Sequence, residues 1–219
     1  MLRTALAAAL AALSFQALAD PISSVRMEGF SNGYAAVDVT IDSYGTIGAG
    51  QFRGTLDNVS FLTYCTDLFQ SFSWGQTYSY SLVANGAANG LTLTQADRLG
   101  KLYTAAGGPA TNTTDSAAFQ LAVWELMYDS TPGSVASGDF QLISGGTTAQ
   151  RNRADAWLAS VLAVGASKSF EAQRLYSSIA QDFVIFTPLP EPGLSVPEPA
   201  GLGLVVMALR LLGLSRRRA

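Results

Sequence analysis

The hydrophobic segment that organises this chain reads FQLAVW at residues 119–124, inside a longer apolar run from Ser116 to Tyr128. Beyond the first turn of that run, the only polar side chains are Gln120 and Glu125. A helix that is apolar on every side is normally buried, so the run predicts a central helix in the core. A buried amide without hydrogen-bond partners costs about 1–3 kcal/mol, so Gln120 must be paired there. Glu125 is interpreted as a helix-surface residue rather than an acid catalyst.

Four segments ahead of this run predict β-strands, because apolar or β-branched residues are frequent in them or alternate with polar ones. They cover residues 34–41, 50–56, 58–68 and 76–82. In the third segment Cys65 continues the two-residue spacing of Val59, Phe61 and Thr63, so these side chains are expected on one face. A closing strand is predicted at residues 181–186.

Two further helices are predicted beside the central one. The first has Thr94 as its capping residue and ends at Gly107. The central helix is expected to be capped by Asp115 or Ser116, and a third helix covers about residues 148–164. The buried side of this third helix is predicted to consist of Trp157, Leu158, Val161 and Leu162.

The order of these elements, strands followed by helices and a final strand, predicts an α+β fold. We expect a mainly antiparallel β sandwich or barrel with a helical insertion, formed by residues 20–187 of the 219-residue chain. A signal peptide and a C-terminal hydrophobic helix are predicted to flank this domain.

The composition excludes several classes of protein. The formal net charge is −3 and charged residues make up only 13% of the chain, which argues against nucleic acid as a partner. The chain has no histidine, so His-based metal sites and Ser-His-Asp or Cys-His catalysis are excluded. Its single cysteine, Cys65, cannot form an intramolecular disulfide. We therefore predict no metal, no cofactor and no enzyme activity.

Residues 1–19 have the pattern of a secretory signal peptide. A short positive start ending at Arg3 precedes an apolar region, and Ala17-Leu18-Ala19 fits the small-x-small cleavage pattern. We expect Asp20 to begin the mature chain after export by the Sec machinery. An uncleaved anchor helix is the alternative; it is less favoured because the apolar run is short and ends in the cleavage pattern.

The other end of the chain has a second targeting pattern. A proline-rich linker at 188–196 leads to Pro197-Glu198-Pro199, an apolar run from Ala200 to Leu214, and Arg216-Arg217-Arg218. Residues 197–219 resemble the PEP-CTERM sorting signal of Gram-negative bacteria. The resemblance implies an exosortase as the processing partner and a final location at the cell surface or in the extracellular, biofilm-type matrix.

Physical arguments support a transient membrane stage for this tail. The arginines favour the cytoplasmic side of the inner membrane, so the body would face outward. Fifteen residues at about 1.5 Å each span roughly 22 Å, less than the hydrocarbon core of about 30 Å. Arg210 also interrupts the run. Such a weak anchor suits a sorting intermediate better than a permanent span.

The pair Tyr64-Cys65, followed later by FQLAVW at 119–124, resembles the paired motifs of the bacterial Cys-Gln thioester domain. The resemblance implies that the Cys65 sulfur attacks the side-chain carbonyl of Gln120, expels ammonia and leaves an internal thioester. An amine- or hydroxyl-bearing surface or matrix partner would then be captured covalently. The aromatic side chains of Tyr64, Phe119 and Trp124 would shield the bond from water.

The alternative is that Cys65 is an inert, buried hydrophobic residue and Gln120 an amide paired with the backbone. Single buried cysteines are common in folded proteins. Under this alternative the chain is a structural matrix protein with the same export signals. Asp67, two residues beyond Cys65, is interpreted as solvated.

Overall fold

The computed structural model of the chain describes residues 22–41 and 45–190. They form an α+β fold with one seven-stranded sheet and three helices, as the order of the predicted elements indicated. The predicted signal peptide, the sorting motif with its hydrophobic run and the arginines at 216–218 lie outside the described residues. Within the described ranges, no helix combines the length and apolar character that crossing a membrane requires.

Seven strands make up the sheet, and every pairing with a defined register is antiparallel. They are β1 (Ile22–Val39), β2 (Ile47–Leu56), β3 (Val59–Cys65), β4 (Thr77–Val83), β5 (Leu142–Gly145), β6 (Phe170–Tyr176) and β7 (Phe183–Pro188). Their order is β2-β3-β7-β6-β4-β1-β5, and β1 also pairs with β2. Because of this additional pairing, β1, near the end of the order, is also hydrogen-bonded to β2, with which the order begins.

The long first strand makes this additional pairing possible. β1 has 18 residues; residues 22–26 pair with β4, residues 25–37 pair with β2, and residues 37–39 pair with β5. Two register shifts, between Met27 and Gly29 and between Phe30 and Tyr34, interrupt the β1–β2 ladder. Such irregularities bend a strand and increase its twist, so one strand can serve two neighbours.

The hairpin between β2 and β3 has a two-residue loop, Asp57-Asn58. Both residues have positive φ, 49° and 66°, as the turn type preferred in tight hairpins requires. This turn sets the register that carries Cys65 to the end of β3, where it pairs with Phe183 of β7.

The first two helices begin earlier than the sequence pattern predicted, whereas the third helix begins at Thr148 as predicted. α1 (Leu93–Ala106) is capped by Thr92, whose hydroxyl accepts from Gln95 N–H, so Thr94 lies inside the helix. α2 (Thr113–Tyr128) is capped by Asn112, so Asp115 and Ser116 lie within its first turns. Several residues that can cap a helix lie near the start of both helices. Only the backbone geometry identifies which of them is the capping residue.

The ends of these helices were predicted well. α1 ends at Gly107, whose φ of 77° is the left-handed conformation that glycine adopts at little cost. α2 ends at Tyr128, as expected. α3 (Thr148–Leu162) buries Trp157, Leu158 and Val161, but Leu162 is 38% exposed because the helix ends there. The prediction that Leu162 is buried is therefore wrong.

Two strands were not recognised in the sequence. β5 has four residues, three of them exposed, in a glycine-rich segment, and it pairs with the end of β1. β6 pairs with β4 although its sequence pattern was ambiguous. Both depend on partners far away in the sequence, which local periodicity does not report.

The core surrounds α2, in which every residue from Ser116 to Leu126 is buried. This helix packs against β1, β2 and β3 and against both other helices. Its start is fixed by the Ser116 hydroxyl, which donates to Gly33 O at 2.9 Å and accepts from Gln51 N at 2.8 Å. The prediction of a central buried helix is confirmed.

Candidate functional site

The last residue of β3 and the middle of α2 meet through Cys65 and Gln120, which are 55 positions apart in the sequence. Gln120 Oε1 accepts from the Cys65 backbone N–H at 2.9 Å, and Gln120 Nε2 donates to the Cys65 carbonyl at 2.8 Å. Both residues are fully buried. The amide of Gln120 is thus paired with the backbone of Cys65 itself.

The sheet leaves room for this arrangement. β2 pairs with β3 only as far as Thr63, opposite Phe52, so the edge of β3 beyond Thr63 lacks a strand partner on that side. Residues two apart in a strand direct their backbone groups to the same side, so those of Cys65 are available there. The Gln120 amide offers one donor and one acceptor, and it extends the ladder in place of a strand.

The end of α2 is fastened to the same segment. The Tyr128 hydroxyl accepts from Leu68 N–H at 2.9 Å and donates to the Thr66 carbonyl at 3.1 Å. Gln120 therefore holds Cys65 against the helix, and Tyr128 holds the residues that follow it. The position of the cysteine is therefore fixed by side chains of α2 as well as by the sheet.

The thiol has its own polar surroundings, distinct from those of the Cys65 backbone. Cys65 Sγ donates to the Asp67 carbonyl at 2.9 Å, and Asp67 N–H points back to Sγ at 3.3 Å. Gln181 Nε2 donates to Sγ at 2.8 Å and to the Asp67 carbonyl at 2.9 Å. The Trp124 side chain also interacts with the thiol, although its Nε1–H forms no hydrogen bond of normal length.

Burial is the main reason why the pKa of the Cys65 thiol rises to about 12. The Asp67 and Asp182 carboxylates add to the increase, and the interaction with Trp124 opposes it. Burial likewise raises the pKa of Asp182 to about 6. At neutral pH Cys65 is a protonated thiol, and its reactivity in the folded chain depends on its neighbours rather than on an intrinsically low pKa.

The three predicted shielding residues are all buried but occupy different places. Tyr64 and Phe119 contact each other, with ring centroids 4.3 Å apart. Tyr64 precedes Cys65 on β3, so its side chain leaves the opposite face of the strand, where its hydroxyl accepts from Gln51 Nε2. Of the three, Trp124 is the one that interacts with the sulfur.

A surface groove of about 440 Å³ borders residues that surround the thiol. Trp124 and Gln181, both neighbours of Sγ, belong to its lining. Tyr34 and Trp74 at the groove are about half exposed, at 52% and 49%. The other aromatic residues of the lining are Phe30, Phe52 and Phe72. A partner could reach the Cys65 region from solvent through this mainly apolar groove.

Two carboxylates differ from the sequence-based expectation. Glu125 was predicted on the helix surface, yet it is fully buried, and its Oε1 accepts from Gly133 N at 2.9 Å and Ser134 N at 3.2 Å. The loop after α2 covers it, which the periodicity of the helix alone does not indicate. Asp67 was predicted to be solvated; it is half buried, and its carboxylate accepts from Phe69 N–H.

Gln181 is the site residue that sequence reasoning missed. It lies just before β7, 116 positions after Cys65, where the sequence predicted only the start of a closing strand. No motif or spacing connects it with the cysteine. Only the pairing of β7 with β3 brings the two residues together.

The described residues contain no cluster of three or more His, Cys, Asp or Glu side chains arranged to hold a metal ion. Comparison with known proteins gives no family either: no family model, no curated protein and no solved structure matches the chain. The functional argument therefore depends on the geometry of this site and on the sequence motifs.

Proposed function

We propose that this chain is an exported surface or matrix protein that captures a nucleophile-bearing partner through a thioester between Cys65 and Gln120. One observation carries the proposal: the backbone of the single cysteine is hydrogen-bonded to the side-chain amide of Gln120, although 55 positions separate the two residues. In this proposal the domain is a barrel-like β structure around α2, supported by the additional β1–β2 pairing.

Formation of the bond needs no external base. The sulfur attacks Gln120 Cδ, and the Cys65 N–H, already 2.9 Å from Oε1, stabilises the negative charge that develops on that oxygen. The C–N bond then breaks, Nε2 takes the thiol proton and leaves as ammonia. The products are a thioester and one molecule of ammonia. The hydrogen bonds between the Cys65 backbone and the Gln120 amide hold the two reacting residues together, which favours the reaction.

Capture uses the same carbonyl carbon, Gln120 Cδ, as the electrophile. A partner amine attacks Cδ, the C–S bond breaks, and the amine proton returns to the sulfur, so that an amide to residue 120 and a free Cys65 thiol result. A hydroxyl would give an ester in the same way. The aromatic groove beside Trp124 and Gln181 is the side from which we expect the partner to approach.

The measurement that tests this proposal is the intact mass of the purified mature protein under acidic, denaturing conditions. We expect a mass lower by one ammonia than the sequence requires, and the full mass for Cys65→Ala after allowance for the substitution. Alkylation must follow denaturation, because burial and a raised pKa protect the Cys65 thiol of the folded chain whether or not the bond exists.

A structural matrix protein with an inert cysteine is the second candidate. It is favoured by the fact that the Cys65 backbone already satisfies both polar atoms of the Gln120 amide. Under this alternative the wild-type protein has its full mass and Cys65 is alkylated completely once the chain is denatured. That result would sink the thioester proposal.

Export and sorting are proposed on the terminal motifs alone, since both lie outside the described residues. The order of Pro197-Glu198-Pro199, apolar run and terminal arginines supports processing by an exosortase at the inner membrane. Deletion of residues 197–219 should change the final location of the protein, as followed by cell fractionation. Unchanged fractionation would count against the sorting signal and leave the thioester question untouched.

A further inference from the structure

The side-chain amide nitrogen of Gln181 donates both to the cysteine sulfur and to the Asp67 carbonyl beside it. Nε2 lies 2.8 Å from Cys65 Sγ and 2.9 Å from the Asp67 carbonyl, the same carbonyl to which the thiol donates. The amide, the thiol and this carbonyl therefore form a closed set of contacts. Among the described residues, the Gln181 amide is the side-chain donor at normal hydrogen-bond distance from Sγ, whereas Trp124 Nε1–H forms no hydrogen bond of normal length.

The backbone of Gln181 is held on several sides. Its carbonyl accepts from the Tyr80 hydroxyl at 2.7 Å, and its N–H donates to the Ser71 carbonyl at 3.3 Å. The next residue, Asp182, accepts at its carbonyl from Thr66 N–H at 3.0 Å. A donor fixed in this way is pre-organised, because little of its orientation has to change when charge develops nearby.

The sulfur is the atom that most needs a donor when a thioester opens. As a nucleophile bonds to Gln120 Cδ, the electron pair of the breaking C–S bond moves to Cys65 Sγ, in a site with no exposed surface. A buried charge of this kind is costly unless it is hydrogen-bonded. The donors in place are Gln181 Nε2–H and the more distant Asp67 N–H.

We propose that Gln181 is a catalytic residue of the capture reaction, which stabilises the departing sulfur through its Nε2–H and so sets the rate of thioester opening. The inference rests on the proposed function, because it requires a Cys65–Gln120 thioester. It assigns to Gln181 the acceleration of capture, not the formation of the fold. Gln181 also lines the aromatic groove, so it stands where the nucleophile arrives.

The experiment uses the mature protein and methylamine as the nucleophile, with the gain in intact mass followed over time. In Gln181→Leu and Gln181→Met, side chains of similar size lack the donor. Hydrogen bonds to charged groups contribute about 1.5–3 kcal/mol, so capture should slow by about ten- to a hundredfold in both variants. The initial mass should still be lower by one ammonia.

Gln141→Leu is the matched control, because the exposed Gln141 amide also donates to a backbone carbonyl, that of Gly138. It should capture methylamine at the wild-type rate. Thermal unfolding of every variant separates a rate effect from loss of structure, since capture is measured well below each midpoint. Two different replacements at position 181 guard against one of them failing to fold.

The outcomes separate the two proposals. Wild-type protein at its full mass overturns the thioester and this inference together. A wild-type thioester with wild-type capture rates in Gln181→Leu and Gln181→Met overturns the inference alone. Folded variants that never lose ammonia also contradict it, because they would place Gln181 in bond formation rather than in bond opening.

Discussion

Two of the fully buried polar side chains of the same helix, α2, differ in how they are paired: Gln120 and Glu125. Gln120 pairs its donor and its acceptor with the backbone of Cys65. Glu125 pairs Oε1 with two backbone N–H groups of the following loop, while Oε2 has no hydrogen-bond partner among the described residues. The polar atoms of the Gln120 amide are thus both hydrogen-bonded, whereas only one of the two oxygens of the Glu125 carboxylate is.

The difference teaches that the type of buried group matters more than the extent of burial. An amide is neutral and can complete a strand edge that needs one donor and one acceptor. A carboxylate only accepts when it is ionised, so an unpartnered oxygen in the core favours the protonated form. Accordingly, burial raises the pKa of Glu125 to about 7.

The largest expected effect comes from removing the complete pair. Gln120→Ala leaves the N–H and the carbonyl of Cys65 without their partners and opens a cavity, so we expect a loss of about 3–5 kcal/mol in unfolding free energy. Urea denaturation followed by fluorescence measures it. Gln120→Glu is the comparison, because it retains the acceptor for Cys65 N–H. A loss below about 1 kcal/mol in Gln120→Ala would contradict the comparison.

The half-satisfied site should be less costly to remove. Glu125→Ala leaves the N–H groups of Gly133 and Ser134 without an acceptor, which should cost about 1–3 kcal/mol in the same denaturation experiment. Part of the loss should be offset at alkaline pH, because the variant no longer buries a carboxylate. An equal or larger loss than in Gln120→Ala would mean that the two sites do not differ as described.

The pH dependence sharpens the comparison through Glu125. Its folded pKa of about 7 lies above its ordinary value of 4.5, so the folded state holds more protons between these values. Stability from this group is complete below about pH 4.5 and is lost as the pH rises through 7. Asp182, with its pKa raised to about 6, acts in the same direction at lower pH.

The variant that isolates this effect is Glu125→Gln, which keeps an acceptor for Gly133 and Ser134 but cannot ionise. We expect it to equal the wild type near pH 4.5 and to exceed it at pH 8 by about 1–3 kcal/mol. Thermal melts across this range provide the measurement. A wild-type stability that rises from pH 5 to pH 8 as steeply as that of the variant would reject the raised pKa.

The smallest effect is expected at the exposed start of the helix. Asn112→Ala removes the side-chain acceptor for Asp115 N–H, and replacement of a capping residue typically costs about 1 kcal/mol. Thr94→Ala, at the position wrongly predicted to cap α1, should change the unfolding free energy by less than about 0.5 kcal/mol. If both variants behaved alike, the assignment of the caps would be mistaken.

Much of the fold followed from local patterns. The apolar run 116–128 predicted a buried helix, and Gly107 marked the end of α1. The alternating segments predicted β2, β3 and β4 closely. These features depend on periodicity and turn chemistry, which act over a few residues and are visible in one sequence.

The candidate site was predicted only in part. The motif containing Gln120 and the single Cys65 indicated a pair, and the structure brings the two into contact. Gln181 had no comparable signal, because a glutamine before a short strand has no distinctive spacing. Glu125 was wrongly predicted to lie on the helix surface, because the loop that follows α2 buries it.

By itself, the sequence determined the three helices and several of the strands, that α2 would be buried, and that no histidine could take part in the chemistry. Only the tertiary structure decided that the β2 ladder stops short of Cys65, that Gln120 completes it, and that β7 delivers Gln181 to the sulfur. The physical reason is the distance along the chain over which each kind of interaction acts. Propensity and periodicity act between near neighbours, whereas hydrogen-bond satisfaction in a core depends on every group that the folded chain brings there.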